Sequence, residues 1–288
     1  MPEKMLSASK RLMPKWLFYT LLLFVFLVSL LYHLPSGVVL KPLNEALQTN
    51  KQGLVLDGFQ GSLWQGQTTL QWQEPTTQQS IALGNIAWQL APLDLLTGAE
   101  PDLDWQSTYG EWQGKIFQSW NSQTTRIQTS NLRLELQAAI NEFASLVKVP
   151  VEIKGTIVSN QLNLTVSPTQ GIQHLKGMIR FENLAAMGVA MPTTYLRLSM
   201  VEKPVKQANQ NAQAPAVLWQ IDAKEANWKM SGKGSIYLNP QEANFGQYQG
   251  EIKVDAVSED DLPDFAHLMR QTAPNQAILR VQGKLKGI

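Results

Sequence analysis

The chain has 288 residues, with 24 Lys and Arg against 23 Asp and Glu, three histidines and no cysteine. The missing cysteines exclude thiol catalysis, Cys-ligated zinc, iron–sulfur clusters and disulfides. His33, His174 and His267 lie far apart with no H-x-x-x-H or H-E-x-x-H spacing, so no metal-ligand motif is present.

Residues 1–15 form a short basic tail in which Lys4, Lys10, Arg11 and Lys15 are opposed only by Glu3. Residues 16–34, WLFYTLLLFVFLVSLLYHL, follow as an apolar run without a single Asp, Glu, Lys or Arg. A helix over this run rises about 28 Å, close to the roughly 30 Å hydrocarbon core of a bilayer. A cleaved signal peptide would have a shorter apolar region and small residues after it; here Leu34 and Pro35 stand in their place. The run is therefore expected to be a retained transmembrane helix, with Trp16 and Tyr19 at one interface and Tyr32 at the other. The basic tail orients the N-terminus to the cytoplasm, so residues 35–288 are expected on the far side. Removing the tail's four basic residues and one acid leaves 20 against 22, without the basic excess of a nucleic-acid binder.

The exported part alternates with a period of two. NLRLELQ (131–137), VEIKGTI (151–157), QLNLTV (161–166), LKGMIRF (175–181), TYLRLSM (194–200), GEIKVDA (250–256) and AILRVQGKL (277–285) each read as a strand with one apolar face. Ser159-Asn160, Pro168 and Asn239-Pro240 read as turns. Such clean alternation predicts antiparallel sheet. Short helices are expected at 92–96, closed by Gly98, at 137–147, at 182–187 and at 259–271. In the last, Ser258 and Asp261 form a capping box, and Leu262, Phe265 and Met269 share a face. KPVKQANQNAQAP (203–215) reads as a long mobile loop, separating a larger N-terminal lobe from a smaller C-terminal one.

Chemistry-bearing motifs are missing. Glu259, Asp260, Asp261 and Asp264 lack the calcium-loop pattern and are explained by a helix N-terminus. Ser62 has no G-x-S-x-G elbow, and SGKGS (231–235) lacks phosphate-loop spacing. No carboxylate pair is singled out for glycoside cleavage. The expectation is a protein that is not an enzyme and uses no cofactor or metal.

Tryptophan dominates instead. Trp-Gln steps stand at 64–65, 72–73, 88–89, 105–106, 112–113 and 219–220. An exposed aromatic platform for glycan is one reading. The favoured one is alternation, with each ring on the apolar face and each glutamine in water. Leu70 and Trp72 then share a face, as do Ile86 and Trp88. Gly58, Gly61 and Gly66 around Trp64 give the chain room where that large ring packs against backbone.

An N-terminal anchor, LP, GFQGSLWQGQ and LGNIAWQLAPLDLLTG together resemble the general secretion pathway protein N family of bacterial type II secretion systems. Gly61, Ser62, Leu63, Trp64, Gln65 and Gly66 fit the family's first segment, and Trp88, Leu90, Pro92, Leu95, Leu96 and Gly98 the second. GSIYLNPQEANFGQYQGEIKV and LRVQGKL resemble its closing strands. The stretch 41–53 and the loop 203–215 depart from the pattern. The motif residues Gly61, Leu63, Trp64, Gly66, Trp88, Pro92, Leu96 and Gly98 are structural, and the family supplies no catalytic residue to carry over.

The resemblance implies a single-pass inner-membrane component of the machine that exports folded proteins across the outer membrane, with its bulk in the periplasm. Its implied partners are the inner-membrane platform, the connecting proteins and the secretin. The family's sheet is similar to that of AsmA-like proteins, whose apolar concave face implies lipid as the ligand in a competing reading. The expected fold is mainly β: a long curved antiparallel sheet of roughly a dozen strands, a few short helices, and a groove or partial closure because so few helices are available to cover it.

Overall fold

The computed structural model describes residues 15–49, 53–73, 80–143, 153–168, 171–186, 189–200, 205–206, 213–214, 216–238 and 246–285. Two helices open it, α1 (Lys15–Tyr32) and α2 (Ser36–Thr49). The strands β1 (Leu54–Gly61), β2 (Gln65–Gln73), β3 (Ser80–Gln89), β4 (Gly98–Ala99), β5 (Asp102–Ser107), β6 (Gly110–Ser119) and β7 (Thr125–Glu135) lead to a short helix, α3 (Leu136–Glu142). Then come β8 (Ile153–Ser167), β9 (Gly171–Ala186), β10 (Val189–Ala190), β11 (Thr194–Met200), β12 (Val205–Lys206) and β13 (Gln213–Ala214). β14 (Ala216–Lys224), β15 (Trp228–Leu238), β16 (Gly246–Ala256), β17 (Arg270–Ala273) and β18 (Gln276–Leu285) complete the order.

Sixteen strands make one antiparallel sheet in the order β1-β2-β3-β5-β6-β7-β8-β9-β11-β14-β15-β16-β18-β17, with β4 beside β6 and β10 beside β9. The sheet is open, with β1 and β17 as its edges. Nearly every strand pairs with its successor, as short polar turns between alternating segments dictate. Bulges interrupt the β1–β2, β2–β3, β6–β7 and β8–β9 ladders. Each one bends its strand and strengthens the local twist.

Several expectations are corrected. Residues 153–157 of the segment 151–157 and the segment 161–166 belong to one strand, β8, and Ser159-Asn160 lies inside it at a bulge rather than at a turn. Residues 182–186 are not helical; they extend β9, with Asn183 at φ 50 opposite Gly155 at φ 136. The helix expected over 259–271 is two 3-10 turns, Glu259–Asp261 and Asp264–Leu268, followed by β17. Pro263 separates the turns because it has no N–H to continue the ladder. The capping box of Ser258 and Asp261 is present as expected. α2 was not expected; it occupies most of the stretch that departs from the family pattern.

The segment 203–215 does not divide the molecule into lobes. β11 pairs directly with β14 across it, so one sheet runs on, and β12 pairs with β13 in a two-stranded ladder of its own. Residues 203–204, 207–212 and 215, the Asn239-Pro240 turn, positions 144–147 of the expected second helix, 151–152 of the expected strand and 187 of the expected third helix lie outside the described residues.

α1 covers all but the last two residues of the apolar run, and its 18 residues rise about 27 Å. Among the described residues, no helix is long and apolar enough to cross a membrane. Burial is deepest at the opposite pole of the molecule. There Ala223, Trp228, Met230, Val254, Ala256 and Ala277 pack beneath Leu262 and Ala266 of the 3-10 turns, with Phe265 and Met269 against them. The face expected for Leu262, Phe265 and Met269 is thus formed without a helix.

Candidate functional site

Eight of the nine tryptophans lie on the sheet or its turns, and one arrangement recurs among them. The ring lies across a glycine of a neighbouring strand. Trp88 pairs with Gly66 across the β2–β3 ladder, and its ring covers that glycine. Trp219 pairs with Gly234, which pairs in turn with Gly250, and the one indole covers both. A Cβ added at Gly84 would lie 2.8 Å from Trp105 Nε1; within β6 itself, one at Gly114 would lie 2.7 Å from Trp112 Cζ2, two residues back on the same strand. Tyr248 over Gly283 and Phe117 over Gly98 repeat the device without tryptophan. Glycine in a strand interior weakens it by leaving no side chain to pack; an aromatic ring laid over the gap restores the lost contact.

Several of the indole N–H groups are satisfied locally. Trp105 Nε1 donates to the Leu83 carbonyl at 3.0 Å, which also accepts from the Tyr109 hydroxyl at 2.9 Å. The bulge between β2 and β3 sits at this residue, which frees the carbonyl for side chains. Burial, with Glu142 nearby, raises the Tyr109 phenol above its usual range against a lowering bond from Ser107. Trp112 Nε1 donates to Thr129 Oγ1 at 2.9 Å.

The glutamines of the Trp-Gln steps do matching work on the other face. Gln106 and Gln113 both donate to the Asp104 carboxylate; beside them on this face Gln67, outside any Trp-Gln step, donates to Gln60 at 2.9 Å. This amide-rich face carries two hollows, of about 990 Å³ over β1–β8 and about 870 Å³ over β8–β15. They share Gln161 and Asn163 and so adjoin. Two of the lining charges are paired across strands, Lys115 with Asp102 and Arg197 with Asp222, each at 3.3 Å; Lys176 and Lys233 also line the second hollow. Trp88 is buried and Trp64 half-buried, so the glycan platform finds no exposed ring at either.

The two sequence motifs meet at one end of the sheet. GSLWQG is the β1–β2 hairpin: Ser62 N donates to the Gln65 carbonyl at 2.8 Å, and Ser62 Oγ accepts from Trp64 N at 3.3 Å. Gly61 holds φ +90 and Gly58 φ +67, conformations that glycine adopts without strain. From the second motif, Leu90 N donates to the Trp64 carbonyl at 2.7 Å and Trp88 Nε1 to the Leu63 carbonyl at 3.2 Å. The ring received by Gly66 is therefore that of Trp88, not of Trp64. Pro92 starts a 3-10 turn through Leu96, and Gly98 starts β4 beside β6.

The exit of α1 is tied into the same cluster. Leu63 N donates to the Leu34 carbonyl at 3.0 Å, Pro35 bridges Ser62, and the buried Ser36 hydroxyl donates to the Gly61 carbonyl at 3.1 Å. On α2, Asn44 Oδ1 accepts from Leu56 N at 2.9 Å, covering the β1 edge. The pairing of Leu34-Pro35 with the hairpin had no signal in the sequence, because it joins residues far apart in the chain.

Among the described residues, no group of three or more His, Asp or Glu could hold a metal ion. A family model described as "Type II secretion system (T2SS), protein N" matches residues 52–232. The chain is similar to Type II secretion system protein N of Vibrio cholerae serotype O1, with 39% identity over 75 residues, 26% of this chain and 25% of that protein. That match spans about a quarter of the relative's own length. No solved structure matches.

Proposed function

The chain belongs to the type II secretion system protein N family, and on that premise we propose that it is a structural or assembly component of the secretion machine, supporting export of folded proteins across the outer membrane. It does so without catalysis. The observation that carries this reading is the family match over residues 52–232, which spans both motifs and most of the sheet. The uncharged run 16–34 anchors the chain in the inner membrane with its tail in the cytoplasm, and the sheet stands in the periplasm. Its partners there are the inner-membrane platform, the connecting proteins and the secretin.

Retrieval of the tagged full chain from secretion-competent cells after in-cell crosslinking tests this. Secretion components, the platform first, are expected in the crosslinked fraction. Recovery of general membrane proteins without any secretion component overturns the reading.

One observation favours a second reading, an AsmA-like protein that handles lipid between the membranes. Away from the buried pole, most aromatic and aliphatic side chains of the sheet are only half-buried, Trp88 and Val217 excepted, and such a surface can bind acyl chains. Against it, the two hollows lie on the amide face, where Gln, Asn and charged side chains stand among the apolar ones that line them.

A further inference from the structure

Outside α1, the most exposed large apolar side chains include Leu93 and Leu96 on the 92–96 turn, at 76% and 79%, and Trp120 on the β6–β7 turn, at 55%. The three belong to one patch: Trp120 Nε1 donates to the Leu95 carbonyl at 3.0 Å and fastens its turn to the other. Hydrogen bonds and pairing place the patch at the sheet end where β1, β3 and β6 finish, beside the GSLWQG hairpin. That is also where α1 leaves off. Tyr32 closes α1, and Leu34, two residues on, is already bonded to Leu63, so at most about 7 Å of chain separates helix and sheet.

We propose that Leu93, Leu96 and Trp120 form a second membrane contact that seats this end of the sheet on the periplasmic surface of the same bilayer. The inference rests on the anchor reading of 16–34: a sheet tethered within two residues of a spanning helix cannot stand away from the interface. The composition suits that position. Leucine supplies apolar surface and tryptophan is the residue most at home at headgroup level. Neither 89–101 nor 119–124 contains Lys or Arg, and their only charges are Asp94 and Glu100, so the contact is made by the apolar side chains and does not draw on anionic lipid. At the far pole, Val257 is comparably exposed, at 75%, but stands alone.

The absence of cysteine makes the test direct. The full chain, carrying a single environment-sensitive fluorophore at Leu93→Cys, Leu96→Cys, Val257→Cys or Leu23→Cys, is reconstituted into phosphatidylcholine vesicles containing a lipid-borne quencher. Each variant's thermal melt is first matched to the parent's. The proposal expects quenching at 93 and 96 severalfold above that at 257 and unchanged by salt. Quenching at 93 and 96 no greater than at 257 overturns it, and leaves the patch to a protein partner. Leu23 on α1 reports on the anchor separately. If it is quenched while 93 and 96 are not, the anchor stands and the patch falls. If 93 and 96 are quenched without it, the patch stands and the spanning helix falls.

Discussion

A tryptophan on a strand must lay its ring on something, and in this sheet the surface is repeatedly a bare glycine one strand away. Trp219 is the fullest case, covering Gly234 and Gly250 on two successive strands. A methyl group at Gly234 has no space, so Gly234→Ala is expected to cost about 1–3 kcal/mol by overpacking. The cost comes from the ring. In a double-mutant cycle with Trp219→Leu, measured by denaturant unfolding, most of it should vanish. Strict additivity of the two changes would show that ring and glycine are uncoupled. The Trp-Gln step was legible in the sequence as alternation, down to the glutamines on the wet face. The glycine partner was not, because it is set by the register between strands. That is why Gly66 was assigned to the nearby Trp64, when the ring upon it comes from Trp88, 22 positions away in the chain.

Short elements hold the two poles. At one, Ser36 opens α2, 1% exposed, with its hydroxyl on the Gly61 carbonyl. Ser36→Ala removes that bond at an expected cost of about 1 kcal/mol, and limited proteolysis should then cut faster between α1 and β1; an unchanged cleavage rate would argue that the linker is held elsewhere. At the other pole, Asp261 accepts from Ser258 Oγ at 2.6 Å, Ser258 N at 3.1 Å and Asn227 at 2.7 Å. The Ser258 hydroxyl first, then Asn227, hold its carboxyl below the usual 3.8. Because the folded value is depressed, the stabilisation is complete above the unfolded value and fades as pH falls through the folded one. Asp261→Asn should therefore melt earlier than the parent at neutral pH, with the gap closing on acidification below about pH 4. A gap that persists in acid would contradict the assignment. The capping box was legible here because it is local. The long helix was misread because Pro263 stops it, and 182–186 because pairing with β8 overrides its helix-forming residues.

Across the whole molecule, one open sheet connects a pole carrying both family motifs, the α1 exit and an exposed apolar patch to a pole carrying the buried cluster. The class, mainly β and antiparallel, followed from period-two alternation, which every strand carries in itself. Strand number and continuity across 203–215 did not, since β11 and β14 find each other through space and the loop between them hides their adjacency. The account stands most directly on one measurement: the partition of a secreted enzyme between periplasm and medium in a strain lacking this protein, read beside entry of a bulky antibiotic. A secretion component predicts enzyme held in the periplasm, a sound outer-membrane barrier and rescue by the full chain. Normal secretion with a leaky barrier would contradict it and favour lipid handling by the aromatic face.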